Sequence, residues 1–390
     1  MIHSNSEGDI YIEEMPLLLV HLREEEKGAD ARLSEVLSYA LDGYAYETAT
    51  EISAFEYYVN RWRRLEKTQN RKNPVQGRIL FAVPLGTSGI NLELYRLIRF
   101  LREHPDFLNG FVGGLLVDSE NDLYSKSAAK DLVFAANCAG CAFVGRPLVE
   151  GTRTLSNYTI VSNNLGTDLM GAYRESAAGL VKEVLGTDCV RKKCPKVLVL
   201  HASSHKTSNT YAIWNRVKEQ LPEMEIREIG LRNGTLSDCA GCPYKMCLHF
   251  GEQGSCFYGG VMVEDVYPAV READAIVMLC PNYNDALSAN LTAFINRLTS
   301  LFRTTRFYDK ALFAVVVSGY SGSDIVAEQL IAALNMNKTF YLPGQFAMME
   351  TANFRTVINM EWLNPSWFHT TFQQSSLKHH SSKTLFQPSH

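Results

Sequence analysis

KVLVLHASSHKTSNTYAIWNRVKEQL, residues 196–221, reads as a strand, a polar loop and a helix in that order. Lys196 to Ala202 is a short apolar run, and Ser203 to Thr210 holds almost nothing but hydroxyl, amide and cationic side chains. From Tyr211 onward Ile213, Val217 and Leu221 recur at helical spacing, while Arg216, Lys218 and Glu219 fall on the other face. The same alternation continues downstream. MEIREIGL is a strand candidate, a loop with four cysteines follows, VEDVYPAVREA suggests a helix, and DAIVMLC is a very apolar run. Next come a helix over 288–302, the strand ALFAVVVS, a helix over 324–334 and a strand near YLPGQFAMM. Strands that are apolar throughout and alternate with helices predict a parallel sheet covered on both faces.

Upstream, the pattern repeats in weaker form. PLLLVHL, GRILFAVPL and GFVGGLLVD are strand candidates, with helical segments in LELYRLIRFLR and SAAKDLVFAANCAG. A polar, basic stretch, TDCVRKKCPK at 187–196, separates the halves. With 390 residues and the usual prior of roughly 100–200 per domain, two domains are expected. Their expected bounds are 1–190 and 195–355, with a disordered tail over 362–390, where the chain has no acidic residue and no clear period. The four histidines of that tail are irregularly spaced and read as solvated. CAGC occurs twice, at 138–141 and 239–242, in different local contexts, and reads as a coincidence.

Composition narrows the class. With 46% hydrophobic and 21% charged residues the chain is expected to be soluble and globular. Its formal net charge of -4 argues against a nucleic-acid surface, and no apolar run reaches the ~18 residues that would span a membrane. The opening MIHSNSEGDIYIEE has no basic segment followed by an apolar run, so a cytoplasmic location is expected. In a reducing compartment, a cysteine cluster is more often a metal or redox site than a disulfide framework.

A strand that turns into a helix at the carboxyl edge of a parallel sheet presents free N–H groups and the positive end of the helix dipole to its loop. A plain helix cap would need one Ser or Thr, and the 203–210 loop supplies many donors. It lacks both the nucleotide-hydrolase and the dinucleotide glycine patterns, so a phosphomonoester such as that of FMN suits it better than ATP. From about Lys196 to Phe354 the chain resembles the NADPH-dependent FMN reductase and iron-sulfur flavoprotein family, which has a flavodoxin-like fold. Ser203, Ser208, Asn209 and Thr210 match the family's first loop, where Ala202 and His205 replace Gly and Arg. In CPNYNDALSANLTAFINR, Pro281, Tyr283, Ser288, Leu291, Phe294, Ile295 and Arg297 match its second motif, with Cys280 in place of Ser.

The resemblance implies a doubly wound parallel sheet of flavodoxin-like order, preceded by a second, degenerate α/β domain of the same type. Ligands of such sheets bind outside the carboxyl ends of the strands at the switch point, where three loops converge. Ser203, His205, Ser208, Asn209 and Thr210 are expected to hold the FMN phosphate. Pro281, Asn282, Tyr283 and Asn284 are expected along the flavin ring, with Ser318, Gly319 and Gly322 in the third loop.

The four cysteines, Cys239, Cys242, Cys247 and Cys256, have the spacing C-x2-C-x4-C-x8-C. Three readings stay open: a [4Fe-4S] cluster, a tetrahedral zinc, or free or redox-active thiols that pack the loop. His249, in the same loop, reads as exposed. The expected function is an FMN-dependent oxidoreductase passing electrons from NAD(P)H to a flavin, a quinone or a protein acceptor, as a homo-oligomer. The alternative is a non-catalytic redox-sensing or electron-transfer module of the same fold. Because the flavin carries the chemistry of hydride transfer, no catalytic side chain is assigned.

Overall fold

The computed structural model describes residues 15–23, 27–68, 76–189, 194–203, 208–219, 221, 224–352 and 377–378. The chain divides into two compact units, one built on Met1–Cys141 and Leu148–Gly186, the other on Ala142–Pro147 and Thr187–His380.

The first unit runs β1 (Leu17–His21), α1 (Lys27–Ala40), β2 (Tyr46–Ala49), α2 (Ile52–Thr68), β3 (Gly77–Leu85), α3 (Leu92–Glu103), β4 (Phe111–Ser119), α4 (Ser125–Cys138), β5 (Ala142–Gly151), α5 (Thr159–Leu165) and α6 (Leu169–Gly186). The sheet's five strands lie in the order β2-β1-β3-β4-β5, the first part of β5, Ala142–Pro147, being counted with the second unit. β1 pairs in parallel with β2 and with β3, and β3 with β4, so that Leu18 faces Ile79 and Phe81 faces Leu115. Every residue of β1 and of β4 is buried. This is why these strands read as unbroken apolar runs with no alternation.

The second unit continues with β6 (Asp188–Cys189), β7 (Lys196–His201), α7 (Asn209–Glu219), β8 (Glu225–Gly230), α8 (Tyr244–Glu252), α9 (Tyr267–Glu272), β9 (Ala275–Pro281), α10 (Ala289–Phe302), β10 (Ala311–Ser318), α11 (Ser323–Leu330), β11 (Ala347–Thr351) and β12 (Leu377–Lys378). Its main sheet has the order β8-β7-β9-β10-β11, again parallel. Numbered within each unit, both sheets follow the order 2-1-3-4-5, the flavodoxin-like winding. β9 and β10 are buried along their whole length. At the edge of the sheet, β8 alternates between exposed and half-buried positions, with only Ile229 fully buried. Trp214, Phe294 and Phe307 are among the largest fully buried side chains of this core, and each such ring contributes about 1.5–3 kcal/mol relative to an exposed one.

Two expected helices are built differently from their sequence pattern. The helix read over 324–334 starts at Ser323 and widens at Leu330 into a π-helical turn, Ile331–Met336. The segment VEDVYPAVREA begins with a π-helical turn, Met262–Val266, before α9, with a proline in the first turn of α9. Proline has no N–H to donate there, so the start of a helix tolerates it. The expected disordered tail over 362–390 lies outside the described residues apart from β12, which pairs antiparallel with β6 through Leu377↔Cys189 and Lys378↔Asp188.

Candidate functional site

In the second unit the winding direction changes between β7 and β9, so the crevice of a doubly wound sheet falls beyond their carboxyl ends, at His201 and Pro281. Three loops meet the sheet there: 202–208 after β7, 282–288 after β9 and 319–322 after β10.

The first loop leads into α7, whose cap is Ser208: its Oγ accepts from the Tyr211 N–H at 3.2 Å. Thr210 is buried in the first turn, and Asn209 donates through Nδ2 to the Ala352 carbonyl at 3.4 Å. Ser203 Oγ is buried and has no hydrogen-bond partner. His205 lies outside the described residues. One hydroxyl therefore serves as an ordinary cap, and another is held dry and unused at the mouth of the crevice. α7 itself is fixed to β8 through Glu228, which accepts from Tyr211 Oη at 2.7 Å, Lys218 Nζ at 2.8 Å and Trp214 Nε1 at 3.2 Å. Burial pushes the Glu228 carboxyl up, and these three donors outweigh it and hold the group below its ordinary value.

The second and third loops are held together by one side chain. Asn282 Nδ2 donates to Asp285 Oδ1 at 3.1 Å, Ser318 Oγ at 2.9 Å and the Ser321 carbonyl at 3.2 Å. Ser318 Oγ also lies 2.7 Å from Ser323 Oγ. Asn284 and Asp285 both adopt positive φ, 56°, where Asn and Asp are the best tolerated non-glycine residues. Gly322 has φ 87°, and a Cβ there would stand 2.1 Å from Asp285 Oδ1, so this approach of the two loops requires glycine. Asn282 Oδ1 and Ser288 Oγ are buried without partners. Ser288 sits in the N-cap position of α10 yet makes no side-chain cap bond. Two tyrosines stand out from these rigid loops, Tyr283 at 60% and Tyr320 at 82% exposure. The Tyr320 carbonyl accepts from Thr351 Oγ1 at 3.3 Å, which anchors the backbone beneath an open ring.

Buried polar atoms are hydrogen-bonded in the great majority of cases, and each exception calls for an explanation. Ser203 Oγ, Asn282 Oδ1 and Ser288 Oγ lie at the carboxyl edge of one sheet, beside the open N-termini of α7 and α10. Two hydroxyls, which can donate or accept, and one amide oxygen, which accepts, suit a polar ligand. Tyr320 and Asp285 escaped the sequence reading. An aromatic flanked by Ser and Gly in SGYSGSD was the available signal for the first; the role of Asp285 depends on contact with a loop 37 residues away, at Gly322.

The cysteine segment packs against α10. Its ends are tied to α10: Asn296 Nδ2 donates to Asp238 Oδ1 at 3.0 Å, Arg297 Nη2 to the Gly259 carbonyl at 2.7 Å, and Ser300 Oγ to the Ser255 carbonyl at 2.6 Å. Between them Cys239, Cys242, Cys247 and Cys256 are all free, with Cys239 exposed and the others half-buried. Cys242 Sγ lies 4.0 Å from Tyr258 Oη, and Cys247 is carried on α8. Among the described residues no group of three or more His, Cys, Asp and Glu side chains is placed to hold a metal ion. The four cysteines are therefore not gathered into a formed metal site among the described residues. Among the described residues no helix is long and apolar enough to cross a membrane.

The same edge of the first unit is closed by its own side chains. His21, at the end of β1, meets Asp30 of α1 at 2.7 Å. Asn91, fully buried, caps α3 by accepting from the Leu94 N–H at 2.8 Å and donates to the carbonyls of Leu22 and Pro84 at 3.0 and 2.8 Å. At the end of β4 the buried Asp118 is gripped by Arg32 of α1 with Nε and Nη2, at 2.7–3.1 Å. The Arg32 guanidinium also reaches the carbonyls of Ser119, Thr152 and Arg153. Burial pushes the Asp118 carboxyl above its ordinary value, and Arg32 opposes that shift. In sequence, β1 and α1 are joined through Glu24, Glu25 and Glu26, an acidic run unsuited to a phosphate.

Residues 195–353 match the family of NADPH-dependent FMN reductases. No curated protein gives a significant match. Among solved structures, the chain is similar to an NAD(P)H:quinone oxidoreductase from Methanothermobacter marburgensis, at 14% identity over 48% of this chain and 100% of that one, with a TM-score of 0.35. An FMN-dependent NADH-azoreductase from Bacillus anthracis, solved in complex with FMN, shares 11% identity over 45% of this chain and 96% of that one, with a TM-score of 0.30. The chain spans about two thirds of RosB, solved with a bound riboflavin-phosphate derivative: 14% identity, 40% of this chain and 66% of that one, TM-score 0.32.

Proposed function

With residues 195–353 matching the NADPH-dependent FMN reductase family as the premise, we propose that the second unit binds one FMN and that the protein is an NAD(P)H-dependent oxidoreductase. Bound FMN would supply the redox chemistry, hydride acceptance from NAD(P)H and electron transfer to a small acceptor or a protein partner. The chain's own residues hold and orient it. Ser203, Ser208, Asn209 and Thr210, with His205 from the same loop, would take the phosphate at the N-terminus of α7. Pro281, Asn282, Tyr283 and Asn284 would lie along the ring, and Ser318, Gly319 and Gly322 would close the third side. Preorganised donors need not be reoriented when the ligand arrives, which favours tight binding.

The observation that carries this reading is the trio of buried, unpartnered polar atoms, Ser203 Oγ, Asn282 Oδ1 and Ser288 Oγ, at the crevice of the second unit's sheet. Each would cost free energy in an empty site and finds a partner in a bound flavin. Tyr283 and Tyr320 would flank a planar acceptor at the open side of the ring. A cysteine-bound cluster enters this reading only if iron and acid-labile sulfide copurify with the protein, and a homo-oligomer is expected if sedimentation shows more than one chain per particle.

Anaerobic purification followed by a visible spectrum and NAD(P)H oxidation with a quinone and with free flavin is the test. Flavin absorbance together with acceptor-dependent NAD(P)H oxidation is the expected result. Protein that stays colourless after incubation with FMN would overturn the proposal, and bound flavin without turnover would favour the electron-transfer module instead.

A further inference from the structure

The second unit carries a cluster of cations at the amino-terminal edge of its sheet, the edge away from the flavin loops. Arg303 and Arg306 follow the end of α10, Lys338 follows the π-helical turn after α11, and Arg146 belongs to the Ala142–Pro147 stretch of the same unit. The Arg306 guanidinium lies over the Phe302 ring, 4.4 Å from its centre, and Lys338 Nζ lies 5.2 Å from the centre of the same ring. Both charges therefore stand within about a Debye length of each other. Gly145 abuts Thr339 so closely that a Cβ would fall 2.2 Å from the Thr339 carbonyl oxygen, which sets Arg146 beside the Lys338 segment. Phe307 stacks on Phe340 at 4.7 Å and contacts Phe302 at 5.8 Å, giving the cluster an aromatic floor.

No carboxylate among the described residues answers Lys338, although that lysine is 7% exposed. Arg303 Nε is buried and has no hydrogen-bond partner. Asp309, the acid at the start of the following strand, is paired with Lys310 at 3.4 Å. Burial, and after it Arg146 and Arg303, push the Lys338 ammonium below its ordinary value. Arg306 is lowered by burial and by the same two arginines, against the opposing effect of Tyr308. Arg146 and Thr339 also hold positive φ values, 55° and 70°, a conformation that costs free energy for side chains of these types. A desolvated charge such as the Lys338 ammonium is expensive unless paired. Arg306 already donates through Nη1 to the Phe302 carbonyl, and an oxyanion with several acceptors would answer the Lys338 ammonium and the unpartnered Nε of Arg303 together.

We propose that Arg146, Arg303, Arg306 and Lys338 form a binding site for a phosphate-class oxyanion, free or as a small phosphate ester, separate from the flavin loops. The site depends on the geometry of this cluster alone and not on the flavin reading. Its test is thermal unfolding and calorimetric titration of the full chain, saturated with FMN so that the hydroxyl-rich loop is occupied. The probes are inorganic phosphate and glycerol phosphate, against sodium chloride at matched ionic strength. Unfolding temperature should rise with phosphate and saturate, which chloride should not reproduce. Lys338→Met should weaken phosphate binding at least tenfold and should raise the unfolding temperature in phosphate-free buffer, because an unpaired buried charge is replaced by an apolar chain. Arg303→Gln, at a half-buried position, gives the same reading if Lys338→Met folds poorly. Binding of both probes would assign the site to phosphoryl groups in general, and binding of inorganic phosphate alone would assign it to the free ion. Equal effects of phosphate and chloride, or a phosphate effect that survives both substitutions, would overturn the proposal.

Discussion

The two units share a strand order but differ at the edge where such folds bind ligands. In the first unit three polar groups there have found partners in the chain: Asp118 with Arg32, His21 with Asp30, and Asn91 with three backbone groups. In the second, Ser203, Asn282 and Ser288 each keep a buried polar atom with nothing bound to it. One edge has been turned into structure, and the other has been left short of its own hydrogen bonds. The topology is common to both, so the difference between the edges resides in a handful of side chains on the loops and not in the winding of the sheet.

Removing Arg32 tests the closed edge. Arg32→Ala leaves the Asp118 carboxylate buried and unanswered, and should cost about 3 kcal/mol of stability, since solvent reaches the guanidinium but not its partner. Denaturant unfolding measures this loss, and FMN content should not change. The open edge is tested by giving it the character of the closed one. Ser203→Asp puts a negative charge where the phosphate is expected and should weaken FMN binding about a hundredfold, read by fluorescence titration, with the far-UV spectrum unchanged. Gly322→Ala forces a Cβ against Asp285 at a φ of 87°, and should cost about 1–2 kcal/mol in stability together with a smaller fall in FMN affinity.

The smallest effect is one of pH. Burial lowers the His21 pKa below its ordinary 6.5, although Asp30 pulls it up. The unfolded chain then binds a proton more readily than the folded one, so stability is full above pH 6.5 and falls as the pH drops through the lowered value. A stability profile between pH 7.5 and 5 should show that decline in the native protein and a weaker one in His21→Gln.

Much of this was legible in the sequence because buried parallel strands carry a strong pattern. β3 and β10 coincide with the apolar runs GRILFAVPL and ALFAVVVS, and the helix over 288–302 is α10 with Ser288 at its cap. The edge strand β2, YETA, escaped because three of its four residues are exposed or half-buried and it has no apolar run to show. α8 escaped because a helix inside a cysteine-rich loop was read as loop, and its one fully buried residue is Gly251. At the candidate site, residue identity announced the hydroxyl-rich loop, Asn282 and Gly322. What Asn282 does could not be read, because its bonds to Ser318 and Ser321 join segments 36 and 39 residues apart. Nor could spacing alone decide the cysteines, since C-x2-C fixes a separation along the chain and says nothing about where Cys247, carried on α8, turns its sulfur.

The contrast between the edges comes down to a number of flavins. Titration of the purified, flavin-stripped chain with FMN, followed by fluorescence quenching, should give one FMN per chain in the native protein and in Arg32→Ala, with no tight binding in Ser203→Asp. Two flavins per chain, or a single flavin that survives Ser203→Asp, would contradict the assignment of the open edge as the flavin site.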